Sequence, residues 1–149
     1  MNKKLVFVFA LILVIFSISA VSAGFFDFLK FGDDSGNAKV VENGEYCTVD
    51  EVAAYIKEFH KLPSNYITKN EARDLGWHGG PLKKYAPGKS IGGDTFTNRQ
   101  HVQPDSESKY IECDINANGT SRGAERIVYN TGDYKVYYTE DHYNTFTEV

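Results

Sequence analysis

An α+β fold, with short N-terminal helices packed on one face of an antiparallel β-sheet, is predicted for this chain of 149 residues by three observations. Helical periodicity with capping residues is confined to positions 48–76, alternation of β-branched and aromatic residues takes over from about Ser90, and turn residues punctuate that second half. Helices first and a run of strands afterwards is the order of an α+β domain. With 42% hydrophobic and 14% aromatic residues, the composition excludes disorder, collagen-like repeats and coiled coil, and the length suits one domain.

The chain opens on Met1-Asn2-Lys3-Lys4, an unbroken apolar run at 5–16, and small residues ending Val21-Ser22-Ala23. This is the layout of a secretory signal peptide cleaved after Ala23, since the run is short for a bilayer span; an uncleaved N-terminal anchor is the alternative. Either way the remainder is expected outside the cytoplasm. Residues 24–44 read as a linker or pro-segment: a Phe-rich piece at 25–31, then the acidic spacer Gly32-Asp33-Asp34-Ser35-Gly36-Asn37. One lysine and no basic face argue for a short hydrophobic tether over a surface-lying helix, so membrane contact requires that this segment be retained. The folded domain is then 45–149.

Thr48-Val49-Asp50-Glu51 is a capping box, and Val52, Tyr55, Ile56 and Phe59 follow on one helical face, with His60 at the negative end of the helix dipole and Leu62-Pro63 as the stop. Thr68-Lys69-Asn70-Glu71 is a second box, opening a short helix that ends at Leu75-Gly76. Lys69 is anomalous there, because a cation in the first turn opposes the dipole unless an anion meets it. Beyond Ser90, Ile111, Cys113 and Ile115 form the core face of one strand, while Tyr110, Glu112 and Asp114 face a cleft or water. Further strands are expected at 126–130, 134–139 and 144–147, with turns at Asn118-Gly119 and Gly132-Asp133.

The formal charge is −4, and loss of Lys3 and Lys4 with the signal takes it to −6. The whole-molecule field therefore repels phosphate, and any nucleic-acid binding must come from a local group of cations. The residues that carry chemistry are Glu112, His142 in Asp141-His142-Tyr143, and the cations Lys69, Arg99, Arg122 and Arg126. A free carboxylate and a free imidazole titrate near 4.3 and 6.5, so at mildly acidic pH one accepts a proton while the other donates one. Beside cations, such a pair suits phosphodiester cleavage, although spacing alone does not establish it. Four scattered histidines, His78 and His101 among them, and two cysteines lack zinc-ligand spacing, and no metal or other cofactor is expected.

Five collinear segments carry a family resemblance: His60 to Lys69, Leu75-Gly76-Trp77, Ala86 to Asp94, Glu112-Cys113-Asp114-Ile115-Asn116, and Asp141 to Thr147. They resemble the barnase-like secreted microbial ribonucleases, which prefer guanine. The resemblance runs from about Thr48 to the C-terminus, with a short gap before Ser90, a rearranged stretch at 100–109 and a one-residue insertion near Gly132.

That resemblance implies the microbial ribonuclease fold and a role for each matched residue. Glu112 falls on the general base for the ribose 2′-OH and His142 on the general acid for the departing 5′-oxygen, giving a 2′,3′-cyclic phosphate. Lys69, Arg122 and Arg126 fall on the phosphate-binding cations, which explains the cation at a helix start. Phe96-Thr97-Asn98-Arg99 resembles the guanine-reading loop, with Tyr143 supporting substrate from the other side. Gln100 departs from the pattern, standing where the family has a glutamate that accepts two hydrogen bonds from guanine; an amide offers one acceptor atom. Cys47 and Cys113 also depart from it, and two cysteines in a secreted domain are expected to pair in a disulfide, the alternative being two buried thiols.

The expected function is an extracellular, monomeric endoribonuclease acting on single-stranded RNA, as scavenger or as toxin. In the toxin role the resemblance implies a small acidic, barstar-like inhibitor protein in the producer. A catalytically silent RNA- or surface-binding module is the competing class; it needs the cations but not the acid/base pair.

Overall fold

A computed structural model describes residues 38–149. The expected signal segment 1–23 and most of the expected linker lie outside the described residues, and none of the described helices is long and apolar enough to cross a membrane.

The first helix, α1, spans Val49–Phe59 and buries Val52, Tyr55 and Ile56 of the expected stripe together with Ala53, while Phe59 at its end is only half-buried. Its N-terminus differs from expectation. The Thr48 hydroxyl donates to Glu51 Oε2 at 2.8 Å and makes no cap bond to the helix backbone, so the two side chains bond to each other in place of the reciprocal backbone bonds of a capping box. His60 ends the helix in the left-handed region, its N–H donating to the Ile56 carbonyl at 2.8 Å and its ring stacked 3.9 Å from that of Tyr134. Strand β1, Tyr66–Ile67, leads into α2, Lys69–Asp74, where the Thr68 hydroxyl does accept from Glu71 N at 3.2 Å.

Strands β2 (Ser90–Phe96), β3 (Tyr110–Asp114), β4 (Arg126–Asn130), β5 (Val136–Thr139) and β6 (Thr147–Glu148) complete a six-stranded sheet in sequence order. All neighbours are antiparallel except β1 and β2, which pair in parallel, a short pairing the sequence did not announce. Two strands start later than expected. Tyr134 sits at φ 57° and closes a turn with its N–H on the Asn130 carbonyl, so β5 begins at Val136. Asn144 and Thr145 are held by Asp141, which leaves only Thr147 and Glu148 to pair as β6.

The main core joins Val52, Ala53 and Ile56 of α1 to Cys113, Ile127, Tyr129 and Val136 of the sheet and to Ile115 just after β3. Ala72 of α2, Trp77, Leu82, Ala86 and Ile91 form a second cluster at the β1–β2 edge. Between the two edges of that architecture lies a β-bulge. The register passes from Gly92 opposite Cys113 to Asp94 opposite Glu112, leaving Gly93, at φ 104°, as the extra residue. Gly92 must lack a side chain, since a Cβ there would lie 2.6 Å from Cys113 Cβ and 2.6 Å from the Tyr66 ring.

Candidate active site

Cross-strand partners in an antiparallel sheet project to the same face. The pairings Asp94 with Glu112 and Glu112 with Val128 make one row on the face away from α1; Asp114, Arg126 and Thr139 make the next. The bulge at Gly93 lets the Asp94 carboxylate accept the Lys69 backbone N–H at 3.0 Å. The start of α2 is thereby tied to β2 with an acidic group at its positive end. From there the Lys69 side chain reaches across the row, its Nζ 3.2 Å from Glu112 Oε1. The second carboxylate oxygen, Oε2, accepts from the Tyr143 hydroxyl at 2.9 Å. Glu112 is thus gripped at both oxygens, by a cation and by a phenol. Burial first, then the Glu112 charge, push the Tyr143 hydroxyl well above the ordinary tyrosine range, so it remains a donor.

Asp114 lies one row along, 2% exposed on its side chain. It accepts two hydrogen bonds from Arg122, at 2.7 Å from Nε and 3.1 Å from Nη2, the fork geometry of a strong guanidinium–carboxylate pair. Arg126 Nε lies 3.0 Å from Asp114 Oδ1 at an angle that makes the contact an ion pair without a hydrogen bond. The same Arg126, 4% exposed, donates through Nη1 to the carbonyls of Arg122, Gly123 and Glu125. The Arg122 guanidinium also lies 5.6 Å from the Trp77 ring centroid. Asp114 therefore does not face water, as the alternation alone allowed; it is the buried hub that holds two of the three expected phosphate cations beside Glu112.

His142 is exposed, on the turn after β5, and its ring centroid lies 4.9 Å from that of Tyr143, tilted by 48°. Tyr143 thus links the expected acid to the expected base. The turn is organised by Asp141, whose carboxylate accepts from Thr139 Oγ1 at 2.8 Å, Thr145 N at 2.8 Å and Thr145 Oγ1 at 2.6 Å. The Thr145 hydroxyl and then its amide hold the Asp141 carboxyl at about 2, below its ordinary 3.8. A depressed carboxyl contributes order above its unfolded value and loses it as pH falls through the folded one. Hydrogen-exchange protection of the Thr145 amide is expected to be full above about pH 4 and to disappear toward pH 2.

The expected base loop is partly assembled around the same tyrosine. Phe96 stacks on Tyr143 with centroids 5.3 Å apart, and Phe146, which sequence reasoning placed only on a strand, meets Phe96 edge-on at 6.3 Å. Asn98 spends its carboxamide closing the loop, donating to the Gln103 carbonyl at 2.7 Å and accepting from Gln103 N at 3.0 Å. Arg99 N donates to the Thr97 carbonyl at 2.8 Å, and Thr97, Arg99 and Gln100 are all exposed.

The expected disulfide is corrected: Cys47 and Cys113 are free thiols. Cys113 points into the α1-packed core, where its thiol meets the Tyr66 hydroxyl and serves as a small apolar group. Burial above all pushes its thiol well up, and burial followed by the Glu51 charge raises that of Cys47, so neither is an activated nucleophile.

Comparison with known proteins places this geometry. A family profile described as ribonuclease matches residues 32–149. The chain is 47% identical over 105 residues to ribonucleases of Bacillus intermedius and Bacillus pumilus, covering 68% of this chain and 64% of each relative. It thus spans a little under two thirds of those two proteins. It is 46% identical to a ribonuclease of Heyndrickxia coagulans, over 68% of this chain and 95% of that one. A chain matched over most of its length by this profile and by such relatives belongs to the ribonuclease family, among its barnase-like microbial members.

Proposed function

We propose that the protein is an extracellular endoribonuclease that cleaves single-stranded RNA by transesterification, with a preference for guanine on the 5′ side of the cut. The observation that carries this reading is the Glu112 carboxylate, held by Lys69 and Tyr143 in the row next to Arg126. Glu112 takes the proton from the ribose 2′-OH, O2′ attacks phosphorus, and the P–O5′ bond breaks as His142 delivers a proton to O5′. A 2′,3′-cyclic phosphate and a 5′-hydroxyl result. Lys69, Arg122 and Arg126 offset the charge that develops on the non-bridging oxygens. With its side chain one-third exposed, Lys69 has room to turn its ammonium from Glu112 to an arriving phosphate. The stacked pair Phe96–Tyr143 supplies an aromatic surface for the base, and the loop from Thr97 to Gln100 its polar edge. The segment at 1–23 directs export, residues 24–44 serve as a linker or pro-segment, and the cation group also suits a small acidic inhibitor protein in the producing cell.

The test is turnover of GpN and ApN dinucleotides across pH 4–9. A bell-shaped profile for the wild type, with at least hundredfold lower rates for His142→Ala, is expected from an acid/base pair. RNA binding without turnover, dependent on salt alone, would make the protein a binding module instead.

Gln100 sets the strength of base preference. Gln100→Glu restores a second, charged acceptor, and the ratio of kcat/KM for GpN over ApN is expected to rise by the equivalent of about 1–3 kcal/mol. An unchanged ratio would show that the backbone of the loop, and not this side chain, reads the base.

A further inference from the structure

The turn that carries His142 is built to an unusual pattern. His142 and Tyr143 are consecutive non-glycine residues at positive φ, 56° and 72°, a conformation that persists only where the surroundings impose it. Thr139 imposes it from below. Its side chain, 1% exposed in the row with Asp114 and Arg126, donates through Oγ1 to Asp141 Oδ1 at 2.8 Å. The same oxygen accepts from Tyr143 N at 3.1 Å and from Asp141 N at 3.4 Å. One hydroxyl therefore fixes both residues that flank His142, and Asp141 extends the clamp to Thr145. The His142 N–H, meanwhile, donates at 3.1 Å to the carbonyl of Ala124, in the segment between Arg122 and Arg126.

We infer that Thr139 and Asp141 are positioning residues for the general acid: their hydrogen-bonded clamp sets where the His142 imidazole stands relative to the cations that hold the phosphate. This rests on His142 being the proton donor to the leaving group. Tyr143 has anchors of its own in Glu112 and Phe96, whereas His142 is exposed and held by its N–H and the tilted Tyr143 ring. Loss of the clamp accordingly falls on the acid more than on the base or the base-stacking pair. Both residues act through His142 and touch no reacting atom.

A leaving group that departs without a proton separates this role from a merely structural one. Two guanosine 3′-phosphodiesters are compared, a GpN dinucleotide with a ribose leaving group and a 4-nitrophenyl ester. For Thr139→Val, kcat on the dinucleotide is expected to fall by roughly ten- to a hundredfold with KM unchanged, the scale of a misplaced catalytic group. On the nitrophenyl ester it should stay within about twofold. Thr139→Ser, which keeps the hydroxyl, should restore the dinucleotide rate, and Asp141→Ala gives a second reading of the same clamp if the valine variant folds poorly. Equal losses on both esters, or no loss on either, overturn the proposal. His142→Ala serves as the control: if it too affects both esters equally, His142 is not the proton donor and the reading beneath the proposal fails with it.

Discussion

Replacement of Glu112 by glutamine is expected to lower kcat on RNA by about 10²- to 10⁴-fold while KM stays level or falls. Glutamine keeps the shape of the side chain and an oxygen for the Tyr143 hydroxyl, so the loop around Tyr143 and Phe96 is retained. What disappears is the proton acceptor and the negative partner of Lys69. Freed of that partner, the ammonium is available to phosphate at once, and binding should not weaken. The fold is expected to tolerate the change, because the ion pair is only half-buried and such pairs contribute little net stability. Steady-state kinetics on a dinucleotide checks the split between kcat and KM. A loss of less than tenfold would move the general base to another group.

Asp114→Ala should instead act on stability, lowering it by about 3–5 kcal/mol, because two guanidinium groups would be left facing a buried gap without their carboxylate. The midpoint of urea unfolding reports this directly. Arg122→Ala is expected to cost much less: Arg122 is the more exposed partner, and Asp114 would keep Arg126 at 3.0 Å. Because all three side chains share one network, the Asp114 and Arg122 substitutions should be far from additive. Activity should fall in both variants, since Asp114 fixes the two cations proposed to meet the phosphate. A stability change below about 1 kcal/mol for Asp114→Ala would show that water, and not the protein, satisfies this cluster.

The parts of this design legible in the sequence are those governed by local periodicity. The stripe Val52, Tyr55, Ile56 and Phe59 predicts α1, and the alternation around Glu112 predicts both the strand and the face, away from the α1-packed core, on which that carboxylate lies. The anomaly of a lysine in the first turn of α2 is resolved by two carboxylates, Asp94 at its backbone and Glu112 at its ammonium. Less legible were features that depend on partners distant in sequence. Nothing local to Asp114 distinguishes a solvated carboxylate from the hub of two arginines, because its partners arrive from the following loop and strand. The Asp141 clamp was likewise hidden, although the Thr-x-Asp-x-x-x-Thr spacing at 139–145 is a local signal for side-chain bonds to a turn backbone. The free cysteines are not legible locally, because their count and the expected export favour pairing, whereas the register of β3 commits Cys113 to the core against Ile127.

The most direct test of the central claim is the identity of the first product. Phosphorus NMR of GpN incubated with the protein in the presence of a chelator is expected to show guanosine 2′,3′-cyclic phosphate forming before any linear phosphate, and neither in Glu112→Gln. A linear phosphate as the first species, or cyclic product formed equally by Glu112→Gln, would contradict transesterification by this carboxylate.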